Sequence, residues 1–394
     1  MRPLLAVALA FATLILAADL ARAADWAPAP HSSVSGRSLV FEAMDAAGDD
    51  DVWVAGYDYG TIGGALEFRT VIHHWDGVSW TRVPTPDRET APAANRLLDI
   101  SSPAADRAWA VGRSATALGD PRSRALLLRW DGTRWAIVEG PEPGAGAISS
   151  VVASPGGTIW LSGPGMNPES GYEYPLVWRK VATGWARVPF PAIPGCRTTA
   201  NGLPYRAVLN DLGMRELARS YAVGTCVAVD GQERGWLAHF DGSAWRPLVT
   251  PTDFAAQGAR GSLEGVSMSP SGEVWAVGGA DDHAVSYRGR GAQVYPVAVP
   301  RQGQSSALAA VDAERDGEAV AAGTYLATDV LPRLNLTSTL PRWRGWGLDA
   351  ALSGIYGNLR AVAIEPSGRA WAAGVSSSDD RGLLLRRFVP PPVN

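Results

Sequence analysis

A four-residue phrase, aromatic-x-x-Gly, recurs along most of the chain, and self-similarity at a regular period restricts the fold more than any single residue can. It reads Trp53-Val-Ala-Gly56, Trp109-Ala-Val-Gly112, Trp160-Leu-Ser-Gly163, Tyr221-Ala-Val-Gly224, Trp275-Ala-Val-Gly278 and Trp371-Ala-Ala-Gly374. A degenerate copy, Val320-Ala-Ala-Gly323, fills the remaining gap, so seven copies lie 45 to 61 residues apart. A second phrase, aromatic-Asp-Gly-x-x-Trp, occurs three times. It runs through Trp75, Asp76, Gly77 and Trp80, through Trp130, Asp131, Gly132 and Trp135, and through Phe240, Asp241, Gly242 and Trp245.

Each copy sits in the same frame. An alternating stretch and a Pro-Gly-type turn precede it, as in Ser-Pro-Ser-Gly at 269–272 and Glu-Pro-Ser-Gly at 365–368. A loop of variable length follows, then a third apolar stretch such as 125–130 or 382–388, the Asp-Gly turn, and a fourth stretch ending near Pro. Pro and Gly supply the dihedrals that chain reversals need. Four strands joined by tight, loose and tight connections make an antiparallel meander. No stretch holds a helical period, so the fold is all-β. Seven such units predict a seven-bladed β-propeller. The blades fall at about 38–86, 95–141, 146–191, 201–251, 261–300, 305–350 and 356–391.

The tryptophans explain how flat blades hold together. Asp-Gly signals a two-residue hairpin turn because both central positions need positive φ. Whether the loop holds two residues or four, Trp75 and Trp80 share a face, since side chains alternate along a strand. Each aromatic ring buries about 150–250 Å². Pairs of them, with the Trp53-type ring, are expected to pack blade on blade. A Trp-lined sugar site needs exposed rings, and recurrence at one blade position points to packing instead.

The two ends of the chain fit one ring. The seventh unit has three strands, ending at Phe388, and Val-Pro-Pro-Pro then stops it. Residues 24–31 carry the Trp and Pro spacing of a fourth strand. They are expected to complete the last blade and hide its open edge.

Residues 1–23 read as a secretory signal peptide, with an apolar run from Leu4 to Ala18 and a small-x-small site at Ala21-Arg22-Ala23. The mature propeller domain is then 24–394, secreted or periplasmic, with no membrane insertion after cleavage. The formal charge of −4 becomes −5 once two Arg and one Asp are removed. Such a mild charge argues against nucleic acid as a partner. The domain is expected to be a monomer. Lys180 is the sole lysine among 35 basic residues. Cys196 and Cys226, in an oxidising compartment, are a candidate disulfide. Closing that loop stabilises by roughly 3–4 kcal/mol in the chain-entropy model.

On the aromatic-x-x-Gly set and the three Asp-Gly hairpins, the chain resembles secreted bacterial β-propeller repeat proteins, in the style of kelch/galactose-oxidase-like and tectonin-type lectin repeats. The resemblance implies architecture and not activity. The paired glycines of kelch repeats are mostly missing, Gly278-Gly279 being the nearest. The Asp box of sialidases has a residue between Asp and Gly, and here there is none. A galactose-oxidase-like propeller implies a copper site of His and Tyr ligands with a Cys–Tyr crosslink, and that set is not found.

Meander topology puts the long connections on one face, where function usually resides. The candidate ligand-binding residues there are Tyr57, Asp58 and Tyr59; Glu169, Tyr172 and Tyr174; Asp281 and Asp282; and Asp379, Asp380 and Arg381. Acidic and Tyr side chains round a central opening suit a sugar or a hard cation. No cofactor is predicted, and a central calcium ion stays open. His74 and His239 share a third-strand slot with Arg129, which suggests packing; His31 and His283 read as isolated loop residues. No zinc spacing, nucleophile elbow or phosphate-cradling loop occurs, and no catalytic residue is identified. Asn335-Leu-Thr337 is a glycosylation sequon. The expectation is therefore a non-enzymatic binding or scaffolding module that uses the long-loop face for a protein or carbohydrate ligand. The alternative is a carbohydrate-active enzyme, a glycoside hydrolase or lyase, or a lectin.

Overall fold

The computed structural model describes residues 26–89, 93–118, 123–141, 146–216, 219–315, 318–327, 332–339, 346–349 and 355–387. Residues 1–23, expected to be a signal peptide, with Ala24, Asp25 and the chain end from Phe388, lie outside them. Strand pairing gives five four-stranded sheets and one eight-stranded sheet. The last is two meanders, at 38–83 and 94–137, joined by a single parallel pair of Phe68 with Ala94. The described strands thus group into seven four-stranded antiparallel meanders. Their first strands neighbour one another in chain order, and that of the seventh, Gly357–Ile364, returns to lie beside that of the first, Ser38–Gly48. The fold is an all-β propeller of four-stranded antiparallel sheets. Among the described residues no helix is long and apolar enough to cross a membrane.

The N-terminal strand closes the last sheet. Trp26–Pro28 pairs antiparallel with Gly382–Arg387, setting Trp26 opposite Arg387. Trp26 therefore occupies in the seventh meander the place that Trp80 holds in the first. It is 4% exposed, packs with Val320 of the sixth meander, and donates its indole N–H to Asp349 at 3.0 Å.

The repeat glycine has a steric cause. In six meanders the first strand carries a β-bulge opposite it, as between Phe41 and Ala43 facing Gly56. A Cβ on Gly56 would meet the Val40 carbonyl oxygen at 2.0 Å. Only glycine lets the bulged backbone come that near. The bulge turns Glu42, Leu98, Asn210, Glu264, Ala309 and Arg360 toward the central channel.

The Asp-Gly hairpins differ in detail from the two-residue expectation. Trp75 pairs directly with Trp80, so the loop is four residues long. Only Gly77 has positive φ, at 89°, while the Asp76 carboxylate accepts the backbone N–H groups of Val78 and Ser79. Asp131 and Asp241 act the same way. An Asx-type loop needs one left-handed residue where a type I′ turn needs two. Parity is unaffected, and the two rings share a face with centroids 6.0 Å apart.

That hairpin pair covers the repeat aromatic of the preceding meander. Trp75 and Trp80 pack on Trp371, Trp130 and Trp135 on Trp53, Phe240 and Trp245 on Trp160, and Trp346 on Trp275, with centroids 4.8–5.6 Å apart. Cross-strand partners stack on the same rings. His74 lies on Trp53 at 4.1 Å and His239 on Tyr221 at 4.8 Å, while Arg288 and Arg386 sit over Trp275 and Trp371. Such cross-strand pairs are units of sheet stabilisation, the two arginines adding cation–π attraction. Where Val320 replaces the aromatic ring, Ser338 replaces the cation opposite it.

Candidate functional site

The first strands enclose a channel of about 520 Å³ along the axis. Four aspartates project into its wall, two from each of two strand positions. Asp45 and Asp312 pair with the repeat positions Trp53 and Val320, and Asp99 and Asp211 pair with Val111 and Val223. Each carboxylate accepts one backbone N–H from its own strand and one from the next meander. Asp45 takes Ala46 and Ser102, Asp99 takes Ile100 and Val151, Asp211 takes Leu212 and Val266, and Asp312 takes Ala313 and Ile364.

The remaining seams near the axis are also bridged. Ser150 Oγ lies 2.9 Å from Asp99 and 3.4 Å from Asp211, and Ser267 Oγ donates to Asp312 at 2.9 Å. Arg360 donates to both oxygens of Glu42 across the closing seam. These groups hold the ring together at its centre.

Burial governs their protonation. Desolvation pushes Asp45 up to about 7, against the lowering effect of the Ser102 N–H, and Asp312 nearby adds to the rise. Asp99 is pushed up to about 6 by desolvation. Asp211 is raised well above the usual carboxylate range by desolvation and by the Asp99 charge. Two carboxylates sharing one hydroxyl partner titrate as a pair. Among the described residues no group of three or more His, Cys, Asp or Glu is placed to hold a metal ion.

The sequence-derived candidates do not gather at this channel. Tyr57 reaches it most nearly: its hydroxyl bonds to Glu42, and Arg96 lies over its ring at 5.0 Å. Asp58 is 2% exposed and engaged by Arg37 at 2.5 Å and Arg82 at 2.8 Å. Tyr59 stacks on Phe68. Asp281, at φ 47°, caps the N–H groups of Ala259 and Arg260, and Asp282 pairs with His283 and Arg301. Asp379 pairs with Arg381, and Asp380 is a left-handed turn residue at φ 52° whose carbonyl accepts Leu39 N–H. Tyr174 packs over Gly165, and Glu169 is exposed.

Around Tyr172 the structure builds more than the sequence suggested. Cys196 and Cys226 form a disulfide, with Cα atoms 5.9 Å apart. It staples the connection 189–206 to the fourth meander. Buried Asn167 donates to Thr199 Oγ1 and to the Pro204 carbonyl, and Ser170 donates to the Tyr205 carbonyl. Tyr172, 45% exposed, then meets Tyr205 with centroids 5.2 Å apart. Arg197 lies over the Tyr205 ring at 4.4 Å and Arg206 over that of Tyr172 at 5.9 Å. Sequence reading missed Arg197, Tyr205 and Arg206; their closeness to Cys196 was the available signal.

One histidine reading is corrected. His31 is not isolated: its Nε2 contacts the Gly382 carbonyl at 2.8 Å, and its ring meets Phe41 and His73 edge-on. His73 is fully buried, and desolvation followed by the His31 charge lowers it to about 4. The sequon residue Asn335 is likewise fully buried, out of reach of a modifying enzyme in the folded chain.

No family model matches the chain, and no curated protein matches it. Solved structures do. A YCF48 bound to D1 peptide is 14% identical with a TM-score of 0.53, covering 94% of this chain and 98% of that one. A polysaccharide lyase of family PL25, an ulvan lyase, is 10% identical with a TM-score of 0.54, covering 90% and 95%. The GH74 xyloglucanase from Xanthomonas campestris is 14% identical with a TM-score of 0.52, covering 92% of this chain and 55% of that one. At such identities the likeness is one of fold: the chain is similar to multi-bladed β-propellers, both peptide-bound and carbohydrate-active.

Proposed function

We propose that this chain is a seven-bladed, extracytoplasmic binding module without catalytic activity, and that it recognises a protein or carbohydrate ligand on its long-loop face. The recognition surface is the Tyr172–Tyr205 pair with Arg197 and Arg206, held by the Cys196–Cys226 bridge. One observation carries the reading. The four channel aspartates are consumed by backbone N–H groups of their own and adjoining blades and Glu42 by Arg360, whereas the Tyr–Arg cluster is pinned from beneath and open above. A general acid or base needs an oxygen free to reach substrate; a recognition surface needs rigid aromatic and Arg side chains. The disulfide accords with an oxidising compartment.

The test is a screen of the mature chain against a displayed peptide library and a glycan array. Ligands retained by the wild type are expected to be lost by the Tyr172→Ala, Arg197→Ala double variant. Calcium is expected to leave the melting temperature unchanged. Retention undiminished in the double variant, or silence of both arrays, overturns the reading.

A hydrolytic reading rests on Asp99 and Asp211, which share Ser150 as paired carboxylates would. It requires turnover of a polysaccharide by the wild type and its abolition in Asp211→Asn.

A further inference from the structure

The seam between the second and third meanders differs from the others. Its repeat ring, Trp109, is partly exposed, whereas Trp53, Trp160, Tyr221, Trp275 and Trp371 are at most 2% exposed. The covering hairpin explains why. Trp160 pairs with Arg179, so Lys180 stands where Trp75, Trp130 and Phe240 stand elsewhere, and it pairs with Trp185. Lys180 swings over the Trp185 ring at 5.0 Å instead of covering Trp109, and the two indoles stay 6.3 Å apart at 84°. The outcome is a slot of about 460 Å³ between the meanders, opening toward the tight-turn face. Its size is that of a small-ligand cleft.

The slot has a definite chemistry. Trp109 and Trp185 form its walls, and Trp185 is fixed by donating its indole N–H to the Glu139 carbonyl at 3.2 Å. Arg107, Arg129 and Lys180 line it too, and Arg129 lies over Trp109 at 5.7 Å. Among the described residues neither Arg129 nor Lys180 has a carboxylate partner, and Arg107 meets only Asp106, at 3.4 Å. The one acid in the lining is the exposed Glu139. Aromatic walls accept the apolar face of a pyranose ring, and paired cations select an anionic substituent on it. The sole lysine of the chain thus stands where a second ring would cover Trp109, and it adds its charge to those of Arg107 and Arg129.

We propose that this slot binds an anionic saccharide unit, a uronate or sulfated sugar. It lies on the face opposite the Tyr172 cluster and stands independently of it, so each can fail alone. Calorimetric titration of the mature chain with trigalacturonate, a heparin-derived disaccharide, neutral cellotriose and a Glu-rich heptapeptide tests the assignment. At least one acidic saccharide is expected to bind ten-fold or more tightly than cellotriose, and more weakly as salt rises. Lys180→Met with Arg129→Met, both at exposed positions, is expected to lower that affinity ten-fold or more. Lys180→Trp is expected to abolish it while raising the melting temperature. No binding by either acidic saccharide, equal binding by the double variant, or binding of the peptide as tight as that of the saccharide overturns the proposal.

Discussion

Two neighbouring seams show how one repeat can serve two ends. Between the first and second meanders, Trp53 is sealed by Trp130 and Trp135 at 5.1 and 5.5 Å and backed by His74. Between the second and third, the equivalent Trp109 keeps its strand pairing with Arg129 but has only Trp185 across from it. The polar ends of both seams are alike: Asp45 clasps Ser102 in one and Asp99 clasps Val151 in the other. Closure at the axis is therefore separable from closure further out. A blade can give up aromatic cover at its outer half and remain in the ring.

The largest expected effect concerns a seam that is sealed from the far end of the chain. Deleting residues 24–31 removes Trp26, uncovers Val320 and frees the edge of the last sheet. It is expected to lower the melting temperature by more than about 10 °C, at about 2–4 °C per kcal/mol. An unchanged transition in scanning calorimetry would sink the idea that this strand closes the ring.

Next comes the sealed seam against the open one. Trp53→Ala is expected to cost about 3–5 kcal/mol, as buried large-to-small changes do. Trp109→Ala is expected to cost about 1–2 kcal/mol, since part of its surface is already wet. Equal losses in denaturant titration would erase the distinction between the seams.

The axial clasps give a pH dependence of order 1–3 kcal/mol. Asp45 is raised in the fold to about 7, above its unfolded value, so the native state binds the extra proton. The stability it contributes is complete below the unfolded pKa and lost as pH rises through about 7. His73, lowered to about 4, works in the opposite direction, but only up to the ordinary imidazole value. Between pH 6.5 and 8 the aspartate effect stands by itself. The melting temperature is expected to fall across that interval, and Asp45→Asn to reduce the fall, the remainder coming from Asp211, which is raised as well. A fall of the same slope in the variant would assign it to other groups.

Lys180→Trp restores the hairpin pair of the first, second and fourth meanders and is expected to stabilise by about 1 kcal/mol. A destabilised variant would mean that the third meander cannot approach closely enough to seal. The smallest effects concern the side chains stacked on the repeat rings. Arg129→Ala is expected to cost about 0.5 kcal/mol, and His74→Ala, whose ring backs a sealed tryptophan, slightly more.

Much of this architecture was legible because it is periodic. The Trp-x-x-Gly phrase records two steric demands, a ring to fill the seam and a glycine opposite a bulge, and most copies state both. Trp26 could be read as a displaced fourth strand because its spacing to Pro matched the other copies. The shared slot of His74, Arg129 and His239 could be read as packing, and each proves to lie against its repeat ring. The loop candidates were another matter. Asp58 and Asp281 are of types that bind ligands, yet one is locked between two arginines and the other caps a turn. Composition of a loop does not say which donors its neighbours will supply.

From the sequence alone came the all-β meander, the repeated units, the disulfide pair and the joining of the two ends, because each is fixed by local spacing or by pairing of a few residues. Only the tertiary structure decided which carboxylates face the axis, that Tyr172 meets Tyr205, and that Trp109 is left uncovered. Those contacts join residues of different meanders, brought together by curvature of the ring. No local pattern encodes a distance across a seam.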